Sequence, residues 1–186
     1  NEADPLPRPQ QRTVLVMPEG YLDQEQLLFG TAMRVAAVLP DHRFIFRCHP
    51  LLPFRHVRPL LEKPPEEFPN IEISDGESVA DDFARSSVVL YRGSSSALYA
   101  VLYGLKPIYL HDGQPHQVDA LFELNGWRER ATSIRGLTEI LRRYAAAPRD
   151  RAAAEWRAAA DYVEAYTAPV SDAAICSMPS WPPSSM

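Results

Sequence analysis

Residues 87–110 have the sequence SVVLYRGSSSALYAVLYGLKPIYL, in which two short apolar runs flank a glycine–serine segment and an apolar stretch of helical length. The first run, Ser87 to Tyr91, is typical of a strand buried on both faces. Ser96 to Tyr103 predicts a helix that is apolar almost all round, and Gly104 is placed to end it. Pro107 to Leu110 predicts the next strand. Strand, helix and strand in this order indicate a βαβ unit with parallel strands.

The same alternation extends along the rest of the chain. Helical spacing of apolar residues recurs between the strands, including Leu121 with Phe122 and, more strongly, Leu137 to Tyr144. We therefore predict an α/β fold, a Rossmann-like three-layer αβα domain with a parallel sheet of about six strands. The other strands are predicted at Thr13 to Met17, Phe44 to Cys48 and Ile71 to Ile73, with a short sixth strand between Gly126 and Ser133.

Composition divides the chain further. It begins with Asn1 rather than Met and reaches its first strand at Thr13, so we expect a piece of a longer protein. Trp156, Val163 and Tyr166 share one face of a C-terminal helix, which we interpret as a docking surface. The segments are a polar, proline-rich lead-in (1–12), the Rossmann-like domain (13–147), the C-terminal helix (148–168) and a tail rich in Pro and Ser (169–186).

Bulk properties exclude several classes of protein. With 186 residues, 46% of them hydrophobic and 23% charged, the composition is that of one globular domain of ordinary size. A net charge of -5 argues against a general nucleic-acid binder. Cys48 and Cys176 fit no metal-binding spacing, and such sparse cysteine is typical of a reducing compartment, although a disulfide between them stays open. No apolar run is long enough to span a membrane.

Candidate binding residues follow the predicted strands at their carboxyl ends, where open parallel sheets bind ligands. After the fourth strand come Gly93, Ser94, Ser95 and Ser96, at the start of a helix. Unpaired N–H groups and the helix dipole favour an anion there, glycine allows close approach, and each hydroxyl adds a donor. The alternative is a simple helix cap, for which serine is a favoured residue. Three serines exceed what a cap needs, so we favour phosphate binding.

The second strand ends at His49-Pro50, on the same edge of the sheet. His49 is placed to donate a hydrogen bond to a phosphate, and Pro50 restricts the turn that follows. The alternative for His49 is a loop histidine bonded to the backbone. Arg47 either reaches the same cleft or pairs with an acidic side chain.

The first strand ends at Glu19-Gly20. A carboxylate at Glu19 suits a sugar hydroxyl or general-base chemistry. It equally suits the start of the following helix, where Asp23 and Glu25 would also favour the helix dipole.

The loop after the fifth strand contains Asp112, Gln114 and His116, which we expect to make polar contacts with the sugar or base of a ligand. We predict no metal site, because the chain lacks an i,i+4 histidine pair or a third ligand at suitable spacing. Asp81 and Asp82 fall in the first turn of a predicted helix, and we interpret them as solvated.

The strand ends PEG (18–20), RCHP (47–50) and RGSSS (92–96) together resemble those of the C-terminal, donor-binding half of a GT-B glycosyltransferase. The most similar members are bacterial surface-polysaccharide enzymes, namely the sialyl-, Kdo-, capsule and polyglycerolphosphate transferases. These share a His-Pro pair and a later Ser/Thr-Ser pair that hold the phosphate of a nucleotide-activated donor. Many other GT-B enzymes place a ribose-binding glutamate where this chain has Tyr99 or Ala100, which favours the His-Pro group.

The resemblance implies that His49, Ser94 and Ser95 contact the donor phosphates, with Arg92 or Lys106 assisting. It implies a nucleotide-sugar donor, no cofactor, and a general base supplied by an N-terminal domain, so no catalytic residue is assigned. It also implies a cytoplasmic protein, with peripheral association at the inner face of the membrane as an open alternative. Two other functions stay open: a nucleotide-sugar 2-epimerase-like enzyme, or a non-catalytic binding or assembly module.

Overall fold

The computed structural model describes residues 6–76, 78–113 and 119–169. Within them six strands form one parallel sheet in the order β3-β2-β1-β4-β5-β6. The predicted Rossmann-like α/β fold is therefore confirmed. The strands are β1 (Thr13–Met17), β2 (Arg43–Phe46), β3 (Ile71–Ile73), β4 (Val88–Tyr91), β5 (Lys106–Leu110) and β6 (Glu129–Ala131).

Helices cover both faces of the sheet. One face carries α1 beside α5, and α4 packs against α6. The cap residues match local chemistry: the Ser78 hydroxyl accepts a hydrogen bond from the N–H of Ala80 at 3.2 Å, and Gly104 follows α4 with a φ of +79°. The helices are α1 (Leu22–Ala36), α2 (Phe54–Val57), α3 (Val79–Ala84), α4 (Ser96–Leu102), α5 (Ile134–Ala145) and α6 (Arg149–Thr167), with 3-10 turns at Pro9–Gln11, Arg58–Leu60 and Pro65–Glu67.

The centre of the sheet is β1, which pairs with β2 on one side and β4 on the other. All five of its residues are buried, as the continuous apolar run predicts. From β1 the chain builds outward to β2 and β3, and then returns to place β4 on the opposite side. The boundary between β1 and β4 is thus the point where the strand order reverses, and a ligand crevice is expected beyond the strand ends there.

The helix predicted around Leu121 and Phe122 is not formed by the described residues, since 119–126 make turns instead. The side chain of Asp119 accepts a hydrogen bond from the N–H of Leu121 at 3.0 Å, and its carbonyl accepts one from Phe122. An aspartate that bonds the backbone two residues on favours a turn over a helix.

The aromatic face of α6 was predicted to be a docking surface, and for most of its length this is wrong. The indole N–H of Trp156 donates to the carbonyl of Val101 on α4 at 2.7 Å, and Ala159 and Val163 are buried. The face therefore packs on the chain's own domain. Tyr166, at the end of the helix, stays exposed.

Asp82 is fully buried, which contradicts the prediction that it is solvated. It accepts hydrogen bonds from Ser74 and Arg47, both at 2.6 Å, and from two nitrogens of Arg85. Burial alone would raise its pKa, but these hydrogen bonds outweigh burial and hold the pKa below its usual value. Asp82 therefore joins the end of β3 to α3 and to the residue after β2.

We predict that Asp82→Asn lowers the free energy of unfolding by about 3 kcal/mol at pH 7, because it leaves the partly buried guanidinium of Arg47 without the buried carboxylate that pairs with it. Since the pKa of Asp82 is lowered by folding, its contribution is present above the ordinary aspartate pKa and is lost as pH falls through the folded value. The difference between wild type and variant should shrink below about pH 4. Urea unfolding at several pH values measures it.

Glu139→Gln is the matched control for this prediction. Glu139 pairs with Arg135 on the exposed surface of α5, where an ion pair contributes little. A change within about 0.5 kcal/mol is expected at every pH. Equal losses from the two variants would contradict the assignment of Asp82.

Candidate nucleotide-phosphate site

The ends of β1, β2 and β4 meet at one point of the carboxyl edge. The ring of His49 lies against Gly20: a Cβ on that glycine would be 2.7 Å from Cγ of His49. The carboxylate of Glu19 occupies the space that a Cβ on Gly93 would need. The geometry thus brings together four of the candidate binding residues, Glu19, Gly20, His49 and Gly93, at the reversal point of the strand order.

Gly93 is required for two reasons. Its φ is +76°, a conformation that residues with a side chain rarely adopt. In addition, a Cβ at this position would overlap the carboxylate of Glu19. The carboxylate of Glu19 therefore faces the glycine turn. It makes no side-chain cap on α1, whose N-cap is Tyr21.

The serines after Gly93 occupy different environments. Ser94 is buried, Ser96 is half-buried, and Ser95 is exposed at the N-cap position of α4. Ser95 makes no side-chain hydrogen bond to the helix, so it does not act as a serine cap. This geometry removes the strongest argument for the cap alternative, and the phosphate role of the three serines stays a prediction.

The tautomer of His49 is set by its surroundings. The backbone N–H of Leu51 donates to Nδ1 of His49 at 3.2 Å. An imidazole nitrogen that accepts a hydrogen bond carries no proton, so the proton of the neutral ring is on Nε2. His49 therefore carries an N–H donor at Nε2, on the side of the ring away from its bond with Leu51. The alternative interpretation of His49, a loop histidine bonded to the backbone, predicts a bond such as the one from Leu51. That bond uses Nδ1 and leaves the N–H of Nε2 available.

Glu25 contacts the backbone of His49, and the sequence analysis did not identify it as a site residue. Its side chain is fully buried in the first turn of α1, and its Oε1 accepts a hydrogen bond from the backbone N–H of His49 at 3.3 Å. Burial raises the pKa of Glu25, while the bonds from His49 and from the Cys48 thiol lower it by less. Its helical spacing from Leu28 and Phe29 could have revealed it, because these positions share the apolar face of α1.

Cys48 is not a nucleophile here. The pKa of the Cys48 thiol is raised to about 12, mainly by burial and to a lesser extent by the charge and the hydrogen bond of Glu25. The thiolate is the reactive form of cysteine, so a thiol with this pKa is inert at neutral pH. Cys176 lies outside the described residues.

Arg47 is committed to structure. One of its guanidinium nitrogens donates to Asp82 at 2.6 Å and to the carbonyls of Gly76 and Ser78 at 3.1 and 3.3 Å. The sequence leaves two roles open for Arg47, reaching the cleft or pairing with an acidic side chain, and the bond to Asp82 is the second of these. A ligand role for Arg47 remains an untested prediction.

Arg92 lies between β4 and the glycine turn and is largely buried. Its Nη1 is 2.6 Å from Oδ1 of Asp112, a close ion pair. The pair links the end of β4 to the loop after β5. Gln114 and His116, also assigned to that loop, lie outside the described residues.

Asp119 forms a second set of contacts, with Tyr91 at the end of β4 and with Arg128. Its Oδ1 accepts a hydrogen bond from the hydroxyl of Tyr91 at 2.7 Å, and Arg128 pairs with its second oxygen. Burial, with the charge of Asp119, raises the pKa of Tyr91 well above its usual value. Tyr91 thus stays protonated and acts as a hydrogen-bond donor.

Lys106 cannot assist at this edge. It is the first residue of β5, and its Nζ donates to the carbonyl of Trp127 at 2.9 Å. Four residues of strand, about 13 Å, separate it from the carboxyl end of β5. Burial lowers its pKa, although Glu129 partly opposes this. Arg92, the other cation considered, is the one located at the site.

Across 6–76, 78–113 and 119–169, no group of three or more His, Cys, Asp and Glu side chains is arranged to hold a metal ion. None of the helices in these ranges is both long enough and apolar enough to cross a membrane.

We predict that Gly20→Ala displaces the His49 ring, because the new Cβ would overlap Cγ and Nδ1. Gly126→Ala is the matched control: Gly126 also has a positive φ, +104° against +96°, but nothing lies within 4 Å of its Cβ position. Both variants should lose about 1 kcal/mol from the unfavourable φ. Only Gly20→Ala should also shift the His49 ring resonances in NMR spectra; unchanged resonances would contradict the contact.

Comparison with known proteins gives structural matches only. No protein-family model matches the sequence. No curated protein matches it significantly either.

Three solved structures illustrate the similarity. The glycotransferase of kitacinnamycin is 16% identical with a TM-score of 0.60, over 86% of this chain and 41% of that one. The wall teichoic acid polymerase TagF, as its H444N variant, is 15% identical with a TM-score of 0.55, over 90% of this chain and 41% of that one. The UDP-GlcNAc 2-epimerase of Methanocaldococcus jannaschii, in complex with UDP-GlcNAc and UDP, is 13% identical with a TM-score of 0.56, over 83% and 45%.

At these identities the similarity establishes the fold. The chain spans less than half of the length of each of the three structures. Two of them are named as a glycosyltransferase or a polymerase and one as a nucleotide-sugar epimerase. The chain therefore has the Rossmann-like α/β fold that is found in glycosyltransferases and in a UDP-GlcNAc 2-epimerase.

Proposed function

We propose that this chain is the nucleotide-activated-sugar-binding domain of a bacterial glycosyltransferase for surface polysaccharide or glycan synthesis. The observation that supports it most is the meeting of His49, Gly20, Glu19 and Gly93 at the reversal point of a parallel sheet. Such a point is where this class of fold binds nucleotides. The structural similarity to glycosyltransferases, among them a wall teichoic acid polymerase, agrees with it.

The phosphate groups of the nucleotide sugar would be bound mainly by an imidazole N–H and by hydroxyl groups. The Nε2–H of His49 approaches from the end of β2, and the hydroxyls of Ser94, Ser95 and Ser96 approach from the turn after β4. Gly93 carries no side chain that would hold a phosphate away from the backbone. The charge of Arg92, adjacent to the turn, would add attraction despite its pairing with Asp112.

The sugar and base of the donor would lie on either side of the phosphates. We assign the carboxylate of Glu19 to a hydroxyl of the sugar, because it faces the glycine turn from β1. Asp112, Gln114 and His116 would contact the sugar or base from the loop after β5. A carboxylate beside a phosphate repels it. Any favourable contribution of Glu19 to binding must therefore come from its hydrogen bond to the sugar.

Transfer itself would need more than this chain. The chain corresponds to 41% of TagF and 41% of the kitacinnamycin glycotransferase. We propose that the acceptor site and the general base belong to an N-terminal domain of the same protein. This domain alone would bind the donor without catalysing transfer. We place the protein in the cytoplasm, with any membrane association peripheral and at the inner face, and we propose no cofactor.

Nucleotide binding is the direct test. We predict that CMP, CDP or UDP raises the melting temperature of the 186-residue chain, since ligand at ten times its Kd stabilises by about 1.4 kcal/mol. Ser94→Ala with Ser95→Ala should abolish this shift by removing two donors. Ser133→Ala, which removes a serine hydroxyl at the start of α5, is the control. No shift with any of the nucleotides at millimolar concentration would contradict the proposal.

The role of Glu19 makes a second prediction. Glu19→Gln should tighten the binding of UDP by about fivefold, because removing a like charge at about 4 Å from a phosphate recovers roughly 1 kcal/mol. It should weaken the binding of the matching nucleotide sugar, which loses a charged acceptor for its hydroxyl. Calorimetric titration with both ligands measures the two effects. A change of the same sign for both would contradict the sugar assignment.

One alternative function has a specific observation in its favour. The similarity to a UDP-GlcNAc 2-epimerase is as strong as that to TagF, with TM-scores of 0.56 and 0.55. Product analysis with UDP-GlcNAc and the full-length protein separates epimerisation from transfer. A non-catalytic module is the remaining alternative, and it predicts that the double serine variant has no effect.

A further inference from the structure

The backbone of His49 is held by a carboxyl group that the proposed function does not use. Glu25 is fully buried, and its Oε1 accepts the N–H of His49 at 3.3 Å. The Cys48 thiol is its second partner, while no described residue donates a hydrogen bond to its Oε2. Burying a carboxyl group with an unbonded oxygen is unfavourable, so stability alone gives little reason for glutamate at this position.

Three contacts together determine where the imidazole points. Glu25 holds the backbone N–H of His49, the Leu51 N–H holds Nδ1, and the backbone of Gly20 packs on the ring near Cγ. The contacts come from α1, from the turn after β2 and from the end of β1. None of these three contacts involves Nε2, so that nitrogen keeps its N–H for a ligand. Removing any one contact would let the ring rotate or its backbone move.

We infer that Glu25 is a positioning residue for His49: it anchors the backbone from which the imidazole presents its Nε2–H to a phosphate. It acts through His49 and touches no ligand. The inference rests on the proposed function for its ligand, but the placement of His49 can be measured without one. Burial raises the pKa of Glu25, which is the cost expected of a buried group retained for position.

Three variants of the 186-residue chain separate positioning from stability. Glu25→Leu fills the same space and removes the acceptor. Glu25→Gln keeps an oxygen that can accept the His49 N–H, without a charge. Asp23→Leu removes an exposed carboxylate from the same turn of α1 and is the control. UDP affinity and the ¹⁵N shifts of the His49 ring are measured for each.

We expect Glu25→Leu to bind UDP about fivefold to tenfold more weakly, the loss associated with one hydrogen bond. Its ring shifts should move from a single Nε2–H tautomer towards a mixture, although its unfolding midpoint at pH 7 does not fall. Glu25→Gln should restore both properties to within about twofold of wild type, and Asp23→Leu should alter neither. If Glu25→Leu does not fold, Glu25→Met, which also lacks an acceptor, replaces it.

The outcomes distinguish the two proposals. Wild-type affinity and ring shifts in Glu25→Leu would overturn the role of Glu25 and leave the proposed function standing. If wild type binds no nucleotide, the proposed function fails, and the ring shifts of the unliganded variants still decide the role of Glu25. A loss of binding in Glu25→Gln equal to that in Glu25→Leu would also overturn it, since the charge rather than the acceptor would then matter.

Discussion

The candidate site depends on the close approach of Gly20 to the ring of His49. β1 is paired on both sides, so the residues that leave its carboxyl end lie between the ends of β2 and β4. Space there is so limited that a methyl group on Gly20 would overlap the imidazole. On the other side the Glu19 carboxylate occupies the space next to Gly93. Each side of the cleft thus depends on one glycine.

A second set of contacts keeps this edge in place. Arg47, one residue beyond β2, is bound to Asp82 of α3 and to the carbonyls of the segment that follows β3. On the opposite side Tyr91 and Arg128 both bind Asp119. Both networks bury a carboxylate with several donors, an arrangement that is costly to break. They hold the strand ends at fixed separations, which a site of preorganised donors requires.

The fold could be predicted from sequence because its signals are local. The apolar runs of β1 and β4 and the turn at Gly93 to Ser96 each lie within a few residues, and the rule that strand ends share an edge then brings His49 and Gly93 together. Glu25 and Asp82 were misjudged because burial depends on what packs against a helix from elsewhere in the chain. Acids in a first helical turn are common on helix surfaces, so charge alone could not identify these two.

The charges at the cleft limit how a phosphate would be held there under the proposed function. Arg47 is bound to Asp82 and Arg92 is paired with Asp112, so neither cation has its charge fully available to a ligand. His49 contributes the N–H of its Nε2, because its Nδ1 already accepts from Leu51. A phosphate here would be held mainly by dipoles and hydroxyls at fixed positions, with the Glu19 carboxylate opposing it. Such binding relies on geometry more than on net attraction, and salt screens it less than it screens binding by exposed lysines and arginines. The placement of His49 therefore matters more in this site than it would in a strongly basic one.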